Sequence, residues 1–153
     1  MDDSVTTAGL GGCVFIGREA KMNNQTSPMN RPVRRGDIYI ADLPEQEIGS
    51  IQSGKRPVLV TQCNRLNKTS PTVIVAIITS QLKKTKAPYH VLLPCYNWLE
   101  KQSMVAAEQR KTIDKSQLLR KCGELDDITM KKVNRALRWS ESSDSRVMNR
   151  KRK

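Results

Sequence analysis

Pro71-Thr72-Val73-Ile74-Val75-Ala76-Ile77-Ile78-Thr79-Ser80 is a β-branched, apolar run opened by proline and closed by two hydroxyl side chains. Apolar side chains fall at successive positions rather than alternating, which is the pattern of a strand covered on both faces, so this segment is expected at the centre of a sheet. Its longest uninterrupted apolar stretch, Val73 to Ile78, is six residues, far short of the ~20 needed to cross a bilayer as a helix. A spanning helix is excluded, and no membrane association is expected.

Other strands are predicted on either side. Gly36-Asp37-Ile38-Tyr39-Ile40-Ala41-Asp42-Leu43 reads as a first strand and Pro57-Val58-Leu59-Val60-Thr61-Gln62 as a second, with proline at a first position that needs no ladder donor. The Pro44–Lys55 stretch between them, with Gly49, Ser50, Ser53 and Gly54, reads as a long loop. Tyr89–Leu93 and Ser103–Ile113 complete a set of five. Asp114 is placed to cap a short turn through Leu119. A convincing helix is predicted only near the C-terminus, capped by Asp126 or Asp127, with Ile128, Val133, Ala136 and Leu137 on its apolar face. The fold class is therefore mainly β with a C-terminal helix, a small barrel or half-open sheet.

The chain has 153 residues, and hydrophobic residues make up 37% with aromatics at 4%, enough for one small core built from Val, Ile, Leu, Met and Ala. Residues 1–30 are polar and glycine-rich and are expected to be a flexible leader; 31–140 form the domain; 141–153, ending Arg150-Lys151-Arg152-Lys153, are expected to be a basic disordered tail. Asp2 and Asp3 stand where a signal peptide carries positive charge. Cys13, Cys63, Cys95 and Cys122 are widely spaced and read as small buried hydrophobes in a reducing cytosol.

Charge decides the class of partner. Lys and Arg total 27 against 15 acids, a formal +12, and the stretch Arg31–Glu141 alone holds 20 basic and 11 acidic residues, a net +9. The excess therefore belongs to the domain and marks a polyanion binder, nucleic acid above all. A single histidine, His90, excludes a paired-histidine ribonuclease and a three-histidine metal centre; flanked by apolar residues, it reads as structural. Asp37 and Asp42, five apart on one strand, face opposite sides and cannot form the carboxylate pair of a two-metal nuclease. Neither a metal nor another cofactor is expected. Arg56, at the mouth of a rigid strand, offers a flat fork of donors matching phosphate oxygens, suited to the negative charge of a pentacoordinate phosphorus. Thr79 offers a hydroxyl at the end of the central strand. Glu108-Gln109-Arg110-Lys111-Thr112 reads either as a wet sheet face or as part of an RNA groove.

Taken together, Arg35-Gly36-Asp37-Ile38-Tyr39, Gly49-Ser50 with Gln52 and Gly54, Arg56-Pro57-Val58-Leu59-Val60, Ile78-Thr79-Ser80-Gln81, Glu108-Gln109 and Leu125-Asp126-Asp127 resemble the MazF/PemK toxins of bacterial toxin–antitoxin modules, over about residues 33–139. The resemblance implies an SH3-like barrel of the MazF/PemK/CcdB type that forms a homodimer with RNA bound at the dimer interface. It also implies a cytoplasmic, sequence-specific, metal-independent endoribonuclease (an mRNA interferase). In that activity a ribose 2′-hydroxyl attacks the adjacent phosphorus of single-stranded RNA, leaving 2′,3′-cyclic phosphate and 5′-hydroxyl ends. The catalytic pair it implies is Arg56 and Thr79. RNA contacts are expected from Gly49, Ser50, Gln52, Lys55, Ser80, Gln81, Lys84, Gln109 and Lys111. The partner is expected to be a cognate antitoxin whose acidic, partly disordered tail covers the basic groove. Two departures bear on specificity. Ile51 stands where the family usually has an acid, and Lys111 stands where it has arginine, keeping the charge but losing the bidentate fork. A CcdB-like gyrase poison without enzymatic activity and an inactive RNA-binding relative are the alternative readings of the same chain.

Overall fold

The computed structural model describes residues 32–45, 49 and 52–142. Six antiparallel strands, β1 (Asp37–Leu43), β2 (Gly54–Val60), β3 (Thr72–Thr79), β4 (His90–Leu92), β5 (Met104–Asp114) and β6 (Leu118–Glu124), form one sheet in the order β4-β5-β3-β2-β1-β6. A short helix α1 (Asn64–Thr69) joins β2 to β3, and α2 (Asp127–Glu141) closes the described chain. This is the mainly β, small-barrel architecture expected, with the apolar run Thr72–Thr79 inside the sheet as predicted.

Burial on both faces of β3 explains its composition. Ala76 and Ile78 pack with Ile38, Leu59, Val105, Val133 and Leu137 beneath α2. Val73, Val75 and Ile77 pack with Tyr39, Val58, Val60 and Leu118 on the opposite face. Two layers of apolar contact from one strand need the continuous run seen in the sequence. β5 bends between these layers, because its pairing with β3 jumps from Ile77↔Ala106 to Ala76↔Arg110 and leaves Ala107-Glu108-Gln109 bulged. His90 braces the bulge: Nε2 meets Glu108 Oε1 at 2.8 Å and Nδ1 meets the Lys84 carbonyl at 2.9 Å, a structural role.

Several expectations are corrected. β2 begins at Gly54, so Pro57 lies inside the strand and the loop before it is shorter. Gly54 enters the strand at φ +77, a left-handed value that suits glycine. Leu118–Glu124 is a sixth strand: Asp114 does cap a 3-10 turn, accepting from the Ser116 N–H at 2.8 Å, but that turn ends at Gln117 and the chain re-extends against β1. The helix α1 lacks apolar periodicity and is held by Asn67, which donates to the Gln62 carbonyl at 3.0 Å. Ile128 is 69% exposed, and Thr129 takes its inward place on α2. Cys63 and Cys95 are exposed and Cys122 half-buried rather than in the core. The helix runs through Glu141; the expected leader and the tail from 143 onward lie outside the described residues.

Asp126 caps α2, accepting from the Thr129 N–H at 2.9 Å, from the Thr129 hydroxyl at 2.7 Å and from the Tyr96 hydroxyl. The Tyr96 hydrogen bond, then those of Thr129, hold its carboxyl well below the usual carboxylate range. A depressed folded-state pKa contributes stability that is fully present above the unfolded value of about 3.9 and is lost as pH falls towards the folded one. The melting-temperature gap between the wild type and Asp126→Asn, which keeps a capping side chain but no charge, is thus expected to narrow from pH 6 to pH 3. A gap that stays constant over that interval would remove the charge from the explanation.

Candidate functional site

The site lies where β2 and β3 part. Thr61 donates its N–H to the Ile74 carbonyl at 3.0 Å, so by strand alternation Leu59 and Pro57 also direct their main-chain groups towards β3. Pro57 has no N–H to give, and the β2–β3 ladder indeed stops at Val58↔Ile77. Continuing that register by two residues sets Arg56 opposite Thr79. The proline thus ends the pairing just before Arg56 and Thr79, and an open groove of about 430 Å³ that both residues line forms there.

Arg56 is held in orientation. Its Nε donates to the Ser53 carbonyl at 2.8 Å and its Nη1 to the Gln52 side-chain oxygen. Lys111 Nζ in turn donates to the Gln52 carbonyl at 3.1 Å, so this loop residue is tied from both sides. Those bonds engage two of the five guanidinium N–H donors, and three are left to meet a ligand. Partial burial pushes the Arg56 pKa down from its ordinary value, yet a guanidinium stays cationic at any working pH. Thr79 Oγ1 accepts from the Gln81 N–H at 3.1 Å, which fixes the hydroxyl at the strand end and leaves its proton to donate.

The groove gathers Gln52, Arg56, Thr79, Ser80 and Gln81 from the expected set. Gln109 and Lys111 line a second groove of about 520 Å³ beside Pro44 and Gln117, linked to the first through the Lys111–Gln52 bond; Gln109 Oε1 is buried there with no hydrogen-bond partner among the described residues. Lys55 is exposed on β2, across from Asp42. Lys84 is exposed on the connection into β4, at φ 53. Gly49 adopts φ +104 in the loop. Lys55, Lys84 and Gly49 line neither groove. Ser50 and Ile51 lie outside the described residues. Trp98, Lys101, Arg120 and Cys122 also line the first groove, and of these Lys101 and Arg120 are cations that nothing in the sequence singles out. Burial pushes the Cys122 thiol pKa up, so it is a poor nucleophile.

A family model describing PemK-like, MazF-like toxins of type II toxin–antitoxin systems matches residues 34–140. The chain is 48% identical over 109 residues to an endoribonuclease EndoA of Bacillus subtilis (strain 168), covering 71% of this chain and 93% of that protein. It is 46% identical over 106 residues to an endoribonuclease MazF of Staphylococcus saprophyticus, covering 69% and 88%. Among solved structures, a mycobacterial endoribonuclease in complex with its cognate antitoxin superposes with a TM-score of 0.62 at 25% identity, covering 73% of this chain and 97% of that one.

Proposed function

The chain belongs to the PemK-like, MazF-like toxin family of type II toxin–antitoxin systems and is an endoribonuclease, and we propose that it cuts single-stranded RNA at short specific sequences, using Arg56 and Thr79 without a metal. What carries the reading is that Arg56, oriented by Ser53 and Gln52, lines one groove with Thr79 just beyond the last β2–β3 pair. A 2′-hydroxyl attacking the adjacent phosphorus forms the new P–O bond as the 5′-oxygen leaves, giving a 2′,3′-cyclic phosphate and a 5′-hydroxyl. The pentacoordinate phosphorus carries extra negative charge on its equatorial oxygens. The free donors of Arg56 meet that charge from a fixed position, which is where preorganised donors act most strongly. The Thr79 hydroxyl donates to a non-bridging oxygen.

No helix among the described residues is long and apolar enough to cross a membrane; the setting proposed is the cytosol, where the RNA is. The molecule is proposed to act as a homodimer that presents its groove to RNA and, when silenced, to the acidic segment of an antitoxin. Incubating the purified chain with long mixed-sequence RNA in EDTA and mapping every new 5′ end tests the proposal. Discrete cuts bearing 5′-hydroxyls are expected. Intact RNA, or cleavage that appears only when a divalent metal is restored, would overturn it.

A further inference from the structure

Beyond the catalytic pair, the groove has a second cationic wall that the proposed reaction does not use. Ile40 of β1 pairs with Pro57 on one side and with Arg120 of β6 on the other. Arg120, Ile40 and Pro57 therefore form one row across three strands, with side chains on a common face. Two strand spacings separate the ends of that row, about 9–10 Å between the Arg120 and Pro57 backbones. Lys101 approaches from the segment before β5, and both cations line the same groove as Arg56 and Thr79. Both are exposed, and among the described residues neither forms an ion pair, whereas Arg110 pairs with Glu141 and Lys121 with Asp37 and Glu124. Glu100 is the acid lining the groove among the described residues, so three cations face one anion.

Arg120 and Lys101 thus add two cations without an acidic partner among the described residues to the groove that Arg56 lines, beside the apolar Ile40 and Pro57. Backbone phosphates neighbouring one held at Arg56 would find these two cations along the same groove. We infer that Arg120 and Lys101 form a backbone-phosphate subsite of this groove, holding the RNA chain to one side of the scissile phosphate. The inference rests on the endoribonuclease reading for its ligand class and adds residues that hold the strand without touching the reacting atoms.

The test is binding of a short mixed-sequence 2′-O-methyl RNA, which cannot undergo 2′-hydroxyl attack, to the full chain over a range of salt concentrations. Each phosphate contact on a single strand contributes about 0.7 to the slope of log affinity against log salt. Arg120→Ala is expected to weaken binding roughly 5- to 10-fold and to lower that slope by about 0.7, and the double variant with Lys101→Ala by about 1.4. Arg120→Lys is expected to restore most of both, because a phosphate contact needs the charge more than the fork. On a cleavable RNA, Arg120→Ala is expected to raise KM with kcat within roughly twofold of wild type. Wild-type affinity and salt slope in the folded double variant would overturn the subsite, as would failure of the wild type to bind the RNA. The two readings separate cleanly: a slope that falls in a chain that cuts no RNA keeps the subsite and sinks the nuclease, and unchanged slopes in an active nuclease do the reverse.

Discussion

Replacing Arg56 with alanine is expected to lower the rate of RNA cleavage by about 100- to 1000-fold, which corresponds to about 2.7–4 kcal/mol of lost transition-state stabilisation. The magnitude follows from position. Arg56 lines the groove with Thr79 just beyond the last β2–β3 pair, and two of its N–H groups hold it to Ser53 and Gln52, so the remaining donors are set before substrate arrives. A donor that needs no reorganisation acts mainly on the charge that develops during the reaction, so the loss should fall on kcat rather than KM. Single-turnover rates on an RNA containing a mapped cut site, with the enzyme saturating, isolate that step. Folding should survive, because the hydrogen bonds of Arg56 are to a loop and not to the core. Arg56→Lys should recover a small part of the rate, since an ammonium keeps the charge but cannot present a flat fork. An Arg56→Ala rate within roughly threefold of wild type would mean that the guanidinium does not face the scissile phosphate.

How much of this was legible beforehand follows from where each signal resides. The central strand announced itself because burial on both faces demands an unbroken apolar run, and β3 has one. Arg56 and Thr79 were legible because each stands at the end of such a run, and family motifs surround both. Their meeting in one groove was not legible, since it depends on the pairing of β2 with β3, which ends at Val58↔Ile77. β6 escaped notice because it is an edge strand that exposes Leu119, Arg120 and Lys121 in succession, so alternation is lost; Asp114 also carries real capping chemistry that argues for a turn. Apolar character alone points Ile128 inward, whereas the Asp126 cap sets the phase of α2 and turns Thr129 to the core instead. Arg120 and Lys101 were invisible as site residues for a related reason. Arg120 reaches the groove from β6 through the sheet order β2-β1-β6, and Lys101 reaches it from the segment before β5.

The second large effect concerns the wall carrying Trp98. Gly123→Ala is expected to destabilise the fold by about 1–3 kcal/mol, against the usual sign of that exchange. In a strand interior glycine ordinarily weakens structure relative to alanine by roughly 0.5–1 kcal/mol. Here a Cβ on Gly123 would fall 2.4 Å from Nε1, 2.5 Å from Cδ1 and 2.7 Å from Cε2 of Trp98, distances that real side chains do not reach. The indole has little freedom to retreat. It stacks on Tyr96 with centroids 4.6 Å apart and planes 12° from parallel, and the Tyr96 hydroxyl is tied to the Asp126 cap and, at 3.3 Å, to Thr129. Displacing Trp98 would therefore disturb the start of α2 together with the groove wall. At about 4 °C per kcal/mol for a domain of this size, thermal denaturation will register the loss readily. The cycle with Trp98→Ala decides the cause. Once the indole is gone its three close contacts with the added methyl go with it, so Gly123→Ala in that background should become neutral or stabilising, a coupling of more than about 1 kcal/mol. If the alanine costs the same with and without Trp98, the close approach of the indole is not what requires glycine on β6.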